Sequence, residues 1–140
     1  MADVFLDTNV LLYAVSTDPA EAAKSQIARN LLLTGDWAWS AQVAAEFIRA
    51  GTSPRKARPL TRQEAKQWVQ TWMAFPMSPV DGALVLEAVD VSDRFQISHF
   101  DAQIVAAAKR MGCPTVYSED LNHGQDYGGV QVVNPFLTTP

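Results

Sequence analysis

Short apolar runs alternate with longer stretches of helical period along this chain, and that alternation leaves few folds open. A strand that is followed by a helix before the next strand cannot close a hairpin, so neighbouring strands lie parallel. A parallel sheet must be covered on both faces, which predicts an α/β three-layer sandwich, α/β/α, around a central, mainly parallel sheet. With 140 residues, 48% of them apolar, one domain spanning 1–140 can bury such a core.

The expected elements follow from local chemistry. Val4 to Leu6 is too short for a helix and stops at Asp7-Thr8-Asn9, so it reads as a buried strand with a helix over Asn9–Val15 behind it. Pro19 at a first helical position opens a helix to about Leu33, closed by Gly35. Trp37 to Ser40 reads as a strand, and Ser40 caps a helix from Ala41 to Ala50 that ends at Gly51. Residues 52–60 form a loop. Thr61 followed by Glu64 is a capping signature for a helix to about Phe75, broken by Pro76 and Pro79, between which a short strand fits. Asp81–Phe95 and the segment from Ser98 to Gly112 are helical, and Thr115–Tyr117 and Val130–Val133 are the last two strands.

Composition removes several function classes. The net charge of −4 argues against a generally basic nucleic-acid coat or a cationic membrane binder. One cysteine, Cys113, and two histidines, His99 and His123, exclude a disulfide scaffold and a Cys/His zinc site. Met1–Asp7 has no basic start and meets an aspartate after a short apolar run, so no secretory signal is expected there. No membrane-length apolar run is present, and with the lone thiol this predicts a cytoplasmic protein.

In parallel α/β folds the ligand crevice lies beyond the carboxyl ends of the strands, where strand order reverses. Asp7 and Asp120 stand just past two expected strands. Each acid also has a simpler explanation. Asp7 can cap a helix, Asp101 sits three residues after Ser98 as in a capping box, and Asp120 can cap a turn. Glu46 shares a helix face with Val43, Phe47 and Ala50, where a carboxylate needs a partner, either Arg49 one turn on or a cation.

Four segments then become recognisable together. Phe5-Leu6-Asp7-Thr8-Asn9-Val10-Leu11-Leu12-Tyr13-Ala14, Glu46-Phe47, Phe100-Asp101-Ala102-Gln103-Ile104-Val105 and Tyr117-Ser118-Glu119-Asp120-Leu121 resemble the four acidic motifs of the PIN-domain nucleases. Asn122-His123-Gly124-Gln125 and Val132-Val133-Asn134-Pro135-Phe136 resemble the VapC-type toxins of type II toxin-antitoxin modules in particular. The resemblance runs in order along nearly the whole chain and retains every acidic position. It implies a metal-dependent endoribonuclease, a homodimer, and a cognate antitoxin whose tail occupies the acidic groove.

The residues agree with that chemistry. Four carboxylates without cysteine form a hard oxygen set suited to Mg²⁺ or Mn²⁺. Asp7, Glu46, Asp101 and Asp120 are the expected site, with Asp7 and Asp101 as direct ligands and the other two acting directly or through metal-bound water. Thr8, Asn9, Ser118 and Glu119 flank them as candidates for orienting the acids or a phosphate, though turn and cap bonds explain them equally well. His123 is a candidate for proton transfer or RNA contact, or simply exposed surface; His99 is a weaker one.

Arg49, Arg55, Lys56, Arg58, Arg62 and Lys66 oppose Glu64 alone, so residues 49–66 carry +5 and the rest of the chain −9. Such a segment can steer a polyanion, or it is a solvated face. Trp68, Trp72 and Phe75 form a helical stripe expected to pack in a core or an interface. Two other readings fit part of the pattern. A phosphate-accepting receiver domain is disfavoured by Glu46 and by the lack of a suitable lysine near the last strand. A PIN domain with a non-toxin RNA-processing role, or one that only binds RNA or a partner, shares every motif.

Overall fold

A computed structural model describes residues 2–137. The elements run β1 (Val4–Leu6), α1 (Thr8–Val15), α2 (Ala22–Thr34), β2 (Trp37–Ser40), α3 (Ala41–Gly51), α4 (Arg62–Trp72), β3 (Met77–Ser78), α5 (Gly82–Phe95), α6 (His99–Arg110), β4 (Thr115–Tyr117) and β5 (Gln131–Val133). The expected order of strands and helices holds throughout. Boundaries differ where local hydrogen bonds compete. Pro19–Glu21 forms a separate 3₁₀ turn capped by Asp18, and α2 begins only at Ala22. The helix after Thr61 stops at Trp72 rather than Phe75, because the Met73 N–H is shared between Val69 and Gln70 and the Phe75 N–H closes a tighter turn back to Trp72 before Pro76.

The five strands form one sheet in the order β3-β2-β1-β4-β5, and every paired neighbour is parallel. Val4 sits opposite both Trp37 and Thr115, so β1 is central. The chain builds outward from β1 to β2 and β3, then returns to the other side of β1 for β4 and β5. Strand order therefore reverses between β1 and β4. Their carboxyl ends open the crevice where such folds bind ligands.

Helix α1 contacts both α2 and α3, and α3 contacts α4, whereas α5 packs on α6. With the sheet between them they make a three-layer α/β/α sandwich. Residues Ala102–Ala108 of α6 are buried throughout, and four alanines let this helix approach β2 and β4 closely.

The aromatic stripe is structural, as expected. Trp72 is buried against Trp37, Trp39 and Phe47, and Phe75 stacks on Trp37 with ring centroids 3.9 Å apart. Trp68 stacks on Trp72 from outside and remains 39% exposed. These rings anchor α4 against β2 and α3. Among the described residues, no helix is long and apolar enough to cross a membrane.

Candidate active site

Asp7 begins the site. It follows β1, caps α1 by accepting a 2.7 Å bond from the Thr8 backbone N–H at Oδ1, and is only 5% exposed. Its own N–H donates to the carbonyl of Tyr117, which extends the β1–β4 pairing one step into the crevice. The other oxygen, Oδ2, accepts from Ser118 Oγ at 2.7 Å. The cap and the site are thus one residue.

Two bonds do not offset the loss of water around that charge. Burial pushes the Asp7 carboxyl up from 3.8 to about 6, the Ser118 and Thr8 bonds pull it down, and the charges of Asp120 and Glu46 raise it further. Asp7, Glu46 and Asp120 therefore share one electrostatic neighbourhood. At neutral pH Asp7 is still ionised by roughly ten to one.

Between the acids stand neutral donors. Ser118, fully buried, donates to Asp7 and receives the Asp120 backbone N–H at 3.1 Å. Asn9 Nδ2 donates to Asp120 Oδ2 at 3.1 Å, while Asn9 Oδ1 receives the Glu119 N–H at 3.3 Å. Thr8 Oγ1 donates to Glu46 Oε2 at 2.9 Å. Thr8, Asn9 and Ser118 each touch a carboxylate or its loop.

Glu46 does not pair with Arg49, which points to solvent; among the described residues its partners are Thr8 and Gln42. Asp101 occupies the first turn of α6, where the Ser98 hydroxyl receives its backbone N–H at 3.2 Å. The reciprocal half of the capping box is missing. Among the described residues the half-buried Asp101 carboxylate makes no hydrogen bond, so the capping explanation accounts for its backbone and leaves its side chain free.

Glu119 takes another role. It turns away from the acids to Tyr13, whose hydroxyl donates to it at 2.6 Å, and to Lys24 at 3.0 Å. The Lys24 ammonium also lies over the rings of Tyr13 and Phe136. This clamp ties the loop after β4 to α1 and α2. Tyr13, Lys24 and Gln42 were not singled out by sequence. For Gln42, its place four residues before Glu46 on one helix face was the available signal.

His123 is exposed, and its Nδ1 accepts from the Asn134 N–H at 2.9 Å, so it ties its loop to the end of β5. His99 Nε2 bonds Gln103 Oε1 at 2.7 Å. The basic segment is not one continuous face. Arg49, Arg55, Arg62 and Lys66 are exposed, Arg58 donates to the Thr17 carbonyl, and half-buried Lys56 lines a hollow that also holds Asp18 and Glu21.

The donor set is all oxygen, and among the described residues no cationic side chain pairs with the buried Asp7 carboxylate, which suits a hard divalent ion. Among the described residues, however, no three His, Cys, Asp or Glu side chains converge closely enough to hold one. The hydroxyl and amide bridges keep the carboxylates spaced. An ion that retains its own waters suits such spacing better than one needing a tight protein cage.

The PIN domain family profile matches residues 4–125. The chain belongs to the PIN-domain family. A search of curated proteins finds no match by sequence. Among solved structures, a chain of a toxin-antitoxin complex from Klebsiella pneumoniae is 16% identical with a TM-score of 0.67, over 95% of this chain and 98% of that one. Mycobacterium tuberculosis VapC20, a sarcin-ricin loop cleaving toxin, is 17% identical with a TM-score of 0.65, over 82% and 88%. FitAcB from Neisseria gonorrhoeae is 20% identical with a TM-score of 0.61, over 95% and 98%. At these identities the PIN fold is what is shared.

Proposed function

We propose that this PIN-domain protein is a metal-dependent endoribonuclease and the toxin of a toxin-antitoxin pair. The observation that carries the reading is Asp7: a buried carboxylate at the strand switch point, pushed up to about 6 and crowded by the charges of Asp120 and Glu46. Such a group is costly to the fold unless it serves a cation. Family membership and the toxin-antitoxin and VapC20 structures that share the fold support the same conclusion.

Asp7 and Asp101 would hold Mg²⁺ or Mn²⁺ directly, with Glu46 and Asp120 bonding it or its waters. When bound, the ion lowers the pKa of a water for attack on phosphorus and stabilises charge on the phosphodiester oxygens. The protein's part is orientation. Ser118 and Thr8 N–H fix both oxygens of Asp7, Asn9 fixes Asp120, and Thr8 and Gln42 fix Glu46. The Lys24–Glu119–Tyr13 clamp holds the Ser118–Asp120 loop in register with α1. The exposed arginines and lysines of 49–66 steer RNA toward this acidic crevice. The same reading gives the protein a cytoplasmic setting, a homodimeric state and an antitoxin that covers the crevice.

The test is cleavage of RNA by purified protein with Mg²⁺ or Mn²⁺, beside Asp7→Asn and Asp101→Asn. Loss of about a hundredfold or more is expected, as several kcal/mol of charge stabilisation convert to rate. Undiminished cleavage in both variants would sink the assignment. A parent protein that binds RNA without metal-dependent cleavage would instead be a PIN domain that binds RNA or a partner without catalysis. Replacing Arg55, Lys56 and Arg58 with Ala should flatten the salt dependence of RNA binding.

A further inference from the structure

Gln42 stands at a junction of two acid-bearing elements. Its Nε2 donates to Glu46 Oε1 at 3.0 Å within α3 and to the carbonyl of Phe100 at 3.1 Å across to α6. Phe100 immediately precedes Asp101. One side chain is thus bonded both to the Glu46 carboxylate and to the backbone beside Asp101.

The direction of these bonds is determined by chemistry. A carbonyl and a carboxylate only accept, so both N–H bonds of the Gln42 amide are used and its Oε1 must accept. It does, from Gln103 Nε2 at 2.7 Å. Gln103 is buried, at 5% exposure, and its own Oε1 is left to accept from His99 Nε2 at 2.7 Å. Flipping either amide would set donor against donor or acceptor against acceptor. Four residues therefore form one oriented chain ending on Glu46, whose second oxygen receives the Thr8 hydroxyl at 2.9 Å.

We infer that Gln42 is a positioning residue that sets the Glu46 carboxylate against the first turn of α6 carrying Asp101, with Gln103 holding the Gln42 amide in the required direction. This rests on the reading of the four acids as a metal site. The choice of an amide has a physical reason. Arg or Lys at this place would bond Glu46 and also neutralise it, competing with a divalent ion; the amide supplies donors without charge. The Gln42 tie fixes the Glu46 carboxylate relative to the backbone at the start of α6.

The test is Mn²⁺ binding to metal-free protein, read by electron paramagnetic resonance of the free ion, with the melting temperature in chelator measured alongside. Gln42→Met keeps length and removes the donors. It should weaken Mn²⁺ binding by about tenfold, the scale on which partners of metal ligands act, while the protein still melts cooperatively in chelator, lower by a few degrees because the buried Gln103 amide loses its acceptor. Gln103→Met should weaken binding less and add nothing in the Gln42→Met background, because both act through one chain. Parental Mn²⁺ affinity in Gln42→Met, or losses that simply add, overturns the inference. Should Gln42→Met fail to fold, parental affinity in Gln103→Met overturns it. Asp7→Asn and Asp101→Asn separate the two levels. If they also bind Mn²⁺ like the parent, the metal reading fails and takes the inference with it; if they lose Mn²⁺ while Gln42→Met keeps it, only the inference fails.

Discussion

The first turns of α4 and α6 begin with the same device and put it to different uses. In α4, Thr61 receives the Glu64 N–H and the Glu64 carboxylate returns to the Thr61 N–H, so both halves of the capping box close. In α6, Ser98 receives the Asp101 N–H, but the Asp101 carboxylate stays unbonded among the described residues. Aspartate is one methylene shorter and reaches back less readily. A carboxylate spent on its own helix is structural; one left without a hydrogen bond is available to a ligand. Asp7, at the start of α1, does both, at the cost of a raised pKa.

The contrast predicts that activity and stability separate. The largest effect belongs to Asp101→Asn, which should lose RNA cleavage by about a hundredfold or more yet melt within a few degrees of the parent. A large stability loss with intact cleavage would make α6 a second α4. Next is the pH dependence of the metal-free protein. Asp7 holds its proton to about pH 6 when folded, against 3.8 when unfolded, so between these values the folded state binds more protons. Stability should therefore fall as pH rises from about 4 to 6, by about 3 kcal/mol from this group. Asp7→Asn should remove that fall, and denaturant melts in chelator across this range would show it. Glu64 has the opposite sign: bonds from Thr61 hold its carboxyl below the usual range, so its contribution is present above that range and lost as pH drops through its folded value. Smallest is Thr61→Ala, expected to cost about 1 kcal/mol and leave cleavage untouched. Altered cleavage in that variant would erase the distinction between the two helix starts.

Much of the fold was legible because its signals are local. Apolar runs and helical periods placed the strands and helices in order, and Ser40, Thr61 and Ser98 were readable as caps. The 3₁₀ turn at Pro19–Glu21 and the early end of α4 were not, because α-helical and 3₁₀ turns share the same residue preferences and differ only in which carbonyl accepts. At the site, the four acids and their flanking Thr8, Asn9 and Ser118 could be named from motifs. Glu119 was grouped with them by adjacency, yet the structure gives it to Lys24 and Tyr13. The basic segment read as one charge run, but Arg58 and Lys56 are drawn to Thr17 and to a hollow shared with Asp18 and Glu21.

Sequence alone determined which residue types were present to make an oxygen-rich site, where each lay relative to its own strand or helix, and that the strands would be parallel. These properties depend on neighbours within a turn or two of chain. Tertiary structure decided what each carboxylate faces. Thr8 meets Glu46 across 38 positions, and Ser118 meets Asp7 across 111. Such pairings, and the burial that raises Asp7, exist only after the sheet has brought β1 and β4 together and α1 has packed on α3, because desolvation and hydrogen-bond direction belong to the packed state.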